Sequence, residues 1–360
     1  MCRLGLILQY CLLLIGLPSP ALGDGGPIYV QNGESIQSAI ASAPAGSQIM
    51  VAAGVYEEQL TITTDGITLV GHGAILVPPA SPMSNECSGL AGPDTEAGIC
   101  IIGSQVELAD FEVEHRKILS VGKRVMNVAV TGFDVRGFSG LNIVVVGGQG
   151  AMIMGNHLMD GAQYGVLSLG SLDSTIEGND VTGNLSFIGI CMDDNLGGGT
   201  KVHKNSIFGY IIGLCVETDH AQVMANDVSG CCIGANVDAN VTGAQVTGNH
   251  FGAVDPRCTV GPMATAYGIL LTASVGTTVS GNVVEGMRVE GGSNGTVSGG
   301  IAIFDDIFTG TDAVANDNVV TGNVLKNNDN DIVVMTNGTG NVIEGNVCTT
   351  PAQYCGSPGV

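Results

Sequence analysis

The chain has 360 residues, of which 56 are Gly, 12 are Pro and 44% are apolar. The Gly residues follow no triplet period, which excludes collagen, and the apolar content excludes a disordered acidic polymer. With 33 acidic against 11 basic residues the formal net charge is −22, which repels phosphate backbones and anionic membrane surfaces. We therefore expect no nucleic-acid partner, and cations and neutral molecules remain.

The N-terminal stretch has the features of a secretory signal peptide. Arg3 precedes an apolar run over residues 4–17, and small residues ending at Gly23 follow it. This order of a basic residue, a short apolar core and a small-residue end is typical of a cleaved signal. No later segment approaches the ~20 apolar residues that span a bilayer. We expect a signal peptide over residues 1–23 and a secreted domain over residues 24–360 without a membrane span.

Cysteine usage fits an exported protein. Two of the 11 Cys lie in the predicted signal, and the other nine cannot all pair within one chain. Cysteines that are close in sequence and flank turn-rich segments often staple loops in an oxidising compartment. This pattern predicts two disulfides, Cys87–Cys100 and Cys348–Cys355, with Cys258 pairing with either Cys231 or Cys232.

Four Asn-x-Ser/Thr sequons would accept glycans if the host is eukaryotic. An Asn/Gly/Thr-rich repeat also produces such sequons by chance. The four are Asn184, Asn240, Asn294 and Asn337.

A short motif repeats along most of the chain. It consists of a small or polar residue, Asn, any residue and an apolar residue, and its Asn recurs at spacings of 23, 26, 21, 23, 33, 41 and 23. Short alternating Val/Ile runs flank each copy, which predicts brief strands. Three strands per repeat of about 23 residues are typical of a parallel β-solenoid, in which Asn can hydrogen-bond its copy in the next coil. The repeated Asn residues are Asn156, Asn179, Asn205, Asn226, Asn249, Asn282, Asn323 and Asn346.

The segments 35–46, 48–57 and 66–71 resemble the N-terminal cap and first coils of the pectin-lyase-like superfamily. The later Gly-Asn-x-apolar units resemble the carbohydrate-binding and sugar-hydrolase repeats within it. The resemblance implies an all-β fold, a single-stranded right-handed parallel β-helix with a short capping helix near residues 35–43. Members of this superfamily are mainly polysaccharide lyases, hydrolases, esterases and epimerases. The resemblance does not specify the reaction, which must be argued from the site.

One motif of polygalacturonase-type hydrolases does not carry over. Gly71-His72-Gly73 resembles their short His motif, and Asp193-Asp194 resembles their acidic pair. Here the His precedes the acidic pair by about five coils, so stacking does not bring the two motifs together.

Alignment of the coils on the residue that opens one strand per turn separates inward from outward positions. First and third residues after the start are mostly apolar and point into the core, so second and fourth residues point outward. The second position holds Cys191 and Cys215 in neighbouring coils, and a strand spacing of ~4.8 Å predicts a disulfide between them. The aligned starts are Gly140, Gly165, Gly189, Gly213, Gly234, Gly268, Gly300 and Asp331.

The fourth position holds Asp193, Glu217 and Asp238 in three successive coils, hereafter the acidic ladder. Like charges ~4.8 Å apart repel by roughly 3 kcal/mol per pair at an effective dielectric near 20. Such a column must hold a proton, bind a cation or lie in solvent. Carboxylate pairs suit glycoside chemistry, and oxygen ligands suit Ca²⁺. We predict a Ca²⁺ site at the ladder and a catalytic cluster of Asp193, Asp194, Glu217, Asp219 and His220, with solvated surface as the alternative.

Three functions remain open. A secreted carbohydrate-active enzyme of lyase or hydrolase type, acting on a neutral glycan, is favoured by the fold and the ladder. A small-molecule isomerase or cyclase would hold an apolar substrate in a groove at Val144–Val146 with Met152, Met154 and Met159. A non-catalytic surface protein is the third. The basic cluster of Arg116, Lys117, Lys123 and Arg124 is expected to be a solvated loop.

Overall fold

The computed structural model of the protein describes residues 26–81, 84–260, 264–289, 297–306 and 310–356. The predicted signal peptide and the sequon at Asn294 lie outside these ranges. Within them, no helix is both long enough and apolar enough to cross a membrane.

Short parallel strands, paired in chain order, form a first sheet of twelve strands. Each strand has three or four residues, and in most of them the middle or alternate side chains are buried. The strands are Ile28–Val30, Gln48–Val51, Thr68–Gly71, Ala129–Thr131, Met152–Met154, Thr175–Glu177, Lys201–His203, Gln222–Met224, Gln245–Thr247, Thr278–Ser280, Val319–Thr321 and Val342–Glu344.

A second sheet has 20 strands in two parallel rows, which the long strands Asp180–Asp193 and Ser206–Val216 join. The other strands of the first row are Gly54–Glu57, Ala74–Val77, Asp134–Arg136, His157–Met159, Asp227–Ser229, His250–Phe251, Val283–Glu285, Val324–Lys326, Asn346–Val347 and Cys355–Gly356. Those of the second row, hereafter the site row, are Leu60–Ile62, Ala97–Ile102, Leu141–Val146, Tyr164–Leu169, Ile233–Val237, Tyr267–Thr272, Gly299–Phe304 and Ile332–Met335.

A typical coil therefore gives one strand to the first sheet and one to each row of the second. This is a parallel β-helix with the predicted three strands per turn and about a dozen coils. Ile, Val and Leu side chains that point inward from all three faces form one continuous core. The right-handed sense agrees with the rule for parallel crossovers and stays a prediction.

A helix, Ile36–Ser42, lies where the sequence predicts one. Ser35 is its N-cap, and the carboxylate of Glu58 accepts the free N–H groups of Ile36 and Gln37 at 2.9 Å. Ile36 and Ile40 are buried in the core. Its role as the cap of the stack stays a prediction. Two single 3₁₀ turns, Pro256–Cys258 and Ala352–Tyr354, lie outside the strands.

The repeated Asn residues form a buried stack through the first row. The side-chain Nδ2 of each Asn donates to Oδ1 of the Asn in the next coil at 2.9–3.0 Å, over seven consecutive steps from Asn156 to Asn346. The same Oδ1 also accepts the backbone N–H of the preceding Asn. The stack thus satisfies turn amides that the core would otherwise leave without partners.

Residues 104–123 leave the coil as an antiparallel hairpin of strands Ser104–Leu108 and Ile118–Lys123, hereafter the hairpin insertion. The stretched coil spacing in the sequence predicts an insertion over residues 114–126, whereas the hairpin begins ten residues earlier and ends three residues earlier. The hairpin insertion packs on the outward face of the site row, where Val144, Val146 and Leu167 are at most 1% exposed. A short parallel pair, Val125–Met126 with Gly148–Gln149, follows it. The proposed apolar groove at Val144–Val146 is therefore wrong, because the chain's own insertion fills it.

Three disulfides are present in the described part of the chain: Cys87–Cys100, Cys348–Cys355 and Cys232–Cys258. The first two are confirmed, and the third selects Cys232 from the two predicted partners of Cys258.

The predicted Cys191–Cys215 disulfide is wrong, since both thiols are free and buried, as is Cys231. Cys191 and Cys215 are in-register partners of adjacent parallel strands. Such a pair keeps its Cβ atoms near the strand spacing of ~4.8 Å, whereas a disulfide needs a Cβ–Cβ distance of about 3.8 Å.

The coil alignment agrees with the strand register from Gly165 onward, where Val166, Ile190, Leu214 and Ala235 pair in sequence. Gly140 is wrong by two residues. Ile143 pairs with Val166, so Asn142 holds the aligned position instead of Gly140. The sequons at Asn184, Asn240 and Asn337 are exposed, and their glycosylation stays a prediction.

We predict that Asn226→Ala destabilises the protein by more than ~2 kcal/mol. Oδ1 of Asn226 accepts both the backbone N–H and Nδ2 of Asn205 at 3.0 Å, and each orphaned buried group costs about 1–3 kcal/mol. Urea unfolding followed by circular dichroism measures the change. Gln245→Ala, on the exposed face of its strand, is the control and should shift stability by less than ~0.5 kcal/mol. Equal stability of the two variants would contradict the role of the Asn stack.

Candidate functional site

The acidic ladder lies on the outward face of the site row. Met192, Val216 and Val237 pair in register across three coils, so the residues that follow them, Asp193, Glu217 and Asp238, form one column. Asp193 is only 2% exposed, and the Glu217 side chain is 11% exposed. The solvated-surface alternative is therefore wrong for these two residues.

Lys117 supplies the positive charge that offsets the ladder's repulsion. Its Nζ lies 3.1 Å from Oδ2 of Asp193 and also forms an ion pair with Oε2 of Glu217. Burial lowers the pKa of Lys117, but the carboxylates of Glu217 and Asp193 outweigh it and hold the pKa well above its usual range. Lys117 is 46% exposed in the loop before strand Ile118–Lys123, as the sequence predicts, but its ammonium pairs with the ladder.

His115, from the same insertion, connects the ladder to a buried tyrosine. Its Nε2 lies 3.0 Å from Oδ2 of Asp193, and its Nδ1 lies 2.9 Å from the hydroxyl of Tyr164. Burial opposes ionisation of Asp193, but the His115 hydrogen bond and the Lys117 charge outweigh it and lower the pKa of Asp193. Asp193 is therefore held as a carboxylate.

The two oxygens of Glu217 face different groups. Oε2 meets Lys117, whereas Oε1 accepts from the thiols of Cys215 at 3.1 Å and Cys191 at 3.6 Å. Two thiols and one ammonium thus fix the orientation of this carboxylate.

The pKa values of Asp238 and Glu114 are raised, whereas that of Asp193 is lowered. Burial, followed by the charge of Glu217, raises the pKa of Asp238 well above its usual range. The same two causes raise the pKa of Glu114, which belongs to the hairpin insertion. The site therefore combines a carboxylate held ionised with carboxyl groups that favour the protonated form, an arrangement that separates acid from base roles.

Asp194 points away from this cluster, into the coil. Its carboxylate accepts from the Ser168 hydroxyl at 3.0 Å, from the Ser171 amide at 2.7 Å and from the Thr200 hydroxyl. Burial raises the pKa of Asp194 to about 6, although these hydrogen bonds work in the other direction. Its position is that of a residue that fixes the turn after the site row.

Asp219 and His220 also lie apart from the ladder. Both are exposed in the turn after the strand, where Asp219 accepts the N–H of Thr242 at 2.6 Å and the His220 N–H donates to the Thr242 carbonyl at 2.9 Å. The structure thus brings together Asp193, Glu217 and Asp238 from the predicted set, and adds Glu114, His115 and Lys117. In the sequence, these three residues belong to a run of ionisable residues over 114–117 within the predicted insertion. That run was the feature that could have indicated them.

The ladder does not offer the oxygen-only cage that Ca²⁺ prefers. The ammonium of Lys117 lies between Asp193 and Glu217, and two thiols face the remaining oxygen of Glu217. A Ca²⁺ ion held by Asp193, Glu217 and Asp238 stays a prediction that requires Lys117 to move.

Comparison of the fold finds β-helix proteins of low sequence identity. An exopolygalacturonase of family 28 from Yersinia enterocolitica is 14% identical, with a TM-score of 0.55 over 89% of this chain and 79% of that one. The DFA-IIIase of Arthrobacter chlorophenolicus A6 without its lid is 14% identical, with a TM-score of 0.54 over 92% and 82%. ORF18 of Geobacillus virus E2 is 11% identical, with a TM-score of 0.54 over 89% of this chain, which spans 60% of its length.

No family model matches the chain, and no curated protein matches it in sequence. At these identities the structural matches establish the fold. The fold that they show is the β-helix that the resemblance to the pectin-lyase-like superfamily implies.

We predict that Asp194 makes the protein less stable as the pH rises from about 4 to about 6. A folded-state pKa of about 6, against an ordinary 3.8, means that the folded state binds the proton more tightly and loses that advantage on ionisation. A shift of about two units corresponds to roughly 3 kcal/mol.

Urea unfolding at pH 4–7 of the wild type and Asp194→Asn measures this dependence. The difference in unfolding free energy, wild type minus variant, should fall by roughly 2 kcal/mol over this range, since part of the full effect lies below pH 4. Asp219→Asn, which removes an exposed carboxylate from the next coil, is the matched control. A difference for Asp194→Asn that is independent of pH would contradict the raised pKa.

Proposed function

We propose that the protein is a secreted carbohydrate-active enzyme that hydrolyses a neutral glycan at the acidic ladder. The observation that carries the proposal is the column of Asp193, Glu217 and Asp238. Lys117 and His115 of the hairpin insertion contact this column and orient its carboxylates. Support comes from the β-helix neighbours, which include an exopolygalacturonase and a DFA-IIIase. The net charge of −22 favours a neutral glycan over a polyanionic one.

Glu217 and Asp238 are the proposed catalytic pair. Both are partly exposed, whereas Asp193 is buried under His115 and Lys117 and positions the pair. Asp238 favours the protonated form and would give its proton to the leaving-group oxygen. Glu217, oriented by Lys117 and the two thiols, would attack the anomeric carbon as a carboxylate, and water would then hydrolyse the glycosyl ester with Asp238 as base.

The spacing of the pair favours retention of anomeric configuration. Adjacent coils place equivalent residues ~4.8 Å apart, and retaining glycosidases hold their carboxyl groups about 5–5.5 Å apart. Inverting enzymes need about 6.5–9.5 Å to admit a water molecule, which in this column would require residues two coils apart.

A small-molecule isomerase or cyclase is the second candidate, on a different surface. A concavity of about 610 Å³ lies at the C-terminal end of the site row, with Val333, Met335 and Tyr354 among its lining residues. Its described lining residues are predominantly aliphatic, and none of them is Asp, Glu, His or Lys. An apolar ligand fits its walls, but acid–base chemistry would have to come from elsewhere.

Turnover of neutral oligosaccharides and 4-nitrophenyl glycosides tests the proposal. Glu217→Gln and Asp238→Asn should each fold normally and lose ~10²-fold or more in kcat. Proton NMR of the first product should show the substrate's anomeric configuration. Asp219→Asn changes an exposed carboxylate two residues beyond Glu217 that lies apart from the ladder, and this control variant should keep full activity.

Either of two results would overturn the proposal. One is a wild-type protein without activity on the whole panel, and the other is full activity in both Glu217→Gln and Asp238→Asn. Inversion at the anomeric carbon would reject Glu217 as nucleophile.

A further inference from the structure

Two unpaired thiols lie directly beside the proposed site. Cys191 and Cys215 pair in register on adjacent coils of the site row and are at most 2% exposed. Six other cysteines of the described chain form disulfides. Both thiols are oriented toward one atom, Oε1 of Glu217. A hydrophobic role alone does not require that two neighbouring thiols converge on a carboxylate.

These three side chains have the donors and the proximity of a metal site. The Sγ atoms of Cys191 and Cys215 and a carboxylate oxygen of Glu217 all lie within 4.8 Å of one another. Tetrahedral Zn²⁺ binds thiolates at about 2.3 Å and carboxylates at about 2.0–2.2 Å, which places two sulfur ligands about 3.8 Å apart. Small side-chain rotations would therefore bring the three donors onto one ion. Thiolates exclude Ca²⁺ and select soft or borderline ions.

The charges around the thiols suit a divalent cation. Two thiolates and the Glu217 carboxylate carry three negative charges, which Zn²⁺ and the ammonium of Lys117 would neutralise together. Lys117 does not occupy the same place, because it contacts Oε2 of Glu217 whereas the thiols face Oε1.

A second carboxyl group, that of Glu114, lies beside Glu217 but outside this group of three donors. Glu114 places a carboxylate oxygen within 4.8 Å of one of Glu217, in a second cluster that includes His115. The buried Oε2 of Glu114 has no hydrogen-bond partner. His115 is less suited to metal binding, since Asp193 and Tyr164 engage both of its ring nitrogens.

We propose that Cys191, Cys215 and Oε1 of Glu217 form a three-ligand binding site for a thiophilic divalent cation, Zn²⁺ in the first place, with water completing the coordination. Binding displaces one proton from each thiol. Because the ion takes a lone pair of Glu217, an occupied site removes the proposed nucleophile. Zn²⁺ therefore inhibits the hydrolase, a consequence that rests on the proposed function.

Metal binding is measured without any substrate. Isothermal titration with ZnCl₂ of the protein with its three disulfides intact, kept under anaerobic conditions so that the free thiols do not oxidise, should show one site per chain. Titration with Co²⁺ should give thiolate-to-metal charge-transfer absorption and the visible bands of a tetrahedral ion. Cys215→Ser and Cys191→Ser should each weaken Zn²⁺ binding by more than ~100-fold, since even outer partners of metal ligands are worth 10–100-fold. Cys231→Ser, at a buried free thiol elsewhere, is the matched control and should bind Zn²⁺ as the wild type does.

Two results would overturn the metal site. One is unchanged Zn²⁺ binding in the Cys191→Ser, Cys215→Ser double variant, and the other is Co²⁺ binding without thiolate absorption. Should a Ser variant fail to fold by circular dichroism, Cys215→Ala gives the same test with an apolar side chain. If the wild-type protein turns over no glycan of the panel, the proposed function is rejected, whereas the result on metal binding is unaffected. Turnover that Zn²⁺ inhibits equally in the wild type and in Cys231→Ser, at the concentrations at which titration shows the site filling, would support both.

Discussion

The stack of Asn amides is the interaction on which the rest of the molecule depends. Each Asn bonds the Asn of the next coil, and the contact stays at 2.9–3.0 Å although the sequence between neighbours varies from 21 to 41 residues. Because a buried amide without partners costs about 1–3 kcal/mol, a coil that slips by one residue is strongly disfavoured. Register is thereby fixed at one corner of each coil from Asn156 to Asn346, and the strands that follow inherit it.

Fixed register forces carboxylates into one column, where their charges repel one another. Once Met192 pairs with Val216, Asp193 and Glu217 must occupy one column, and neither can move to the other face without placing a charge in the core. Lys117 and His115 of the hairpin insertion lie against this column and contact its carboxylates. The result is a group of carboxylates with unequal proton affinities, although all of them start from similar intrinsic chemistry.

Sequence periodicity was sufficient to predict the features that follow from the stacking of one coil on the next. The Asn spacing predicted the three-strand coil, and the strand alignment predicted the column of Asp193, Glu217 and Asp238, because both follow from stacking alone. Contacts made by chain that leaves the coil were not predictable. Lys117 reaches Glu217 across 100 residues, and no local pattern specifies where a hairpin lies. The failed Cys191–Cys215 disulfide has another cause, since strand alignment gives proximity but not the Cβ separation that bonding requires.

The hairpin insertion also changes how the repeats depend on one another. In a plain solenoid each coil contacts only its neighbours, so a weak coil can open locally and stability is nearly a sum of pairwise steps. Here the insertion leaves the coil that contains Ile102, and its hydrophobic residues and His115 and Lys117 contact the coils of Val144, Leu167, Asp193 and Glu217. Those coils cannot open one at a time without also detaching the hairpin. The middle of the solenoid thus behaves as a block with longer-range cooperativity, and the carboxylates lie where that block ends and ordinary neighbour-to-neighbour stacking resumes.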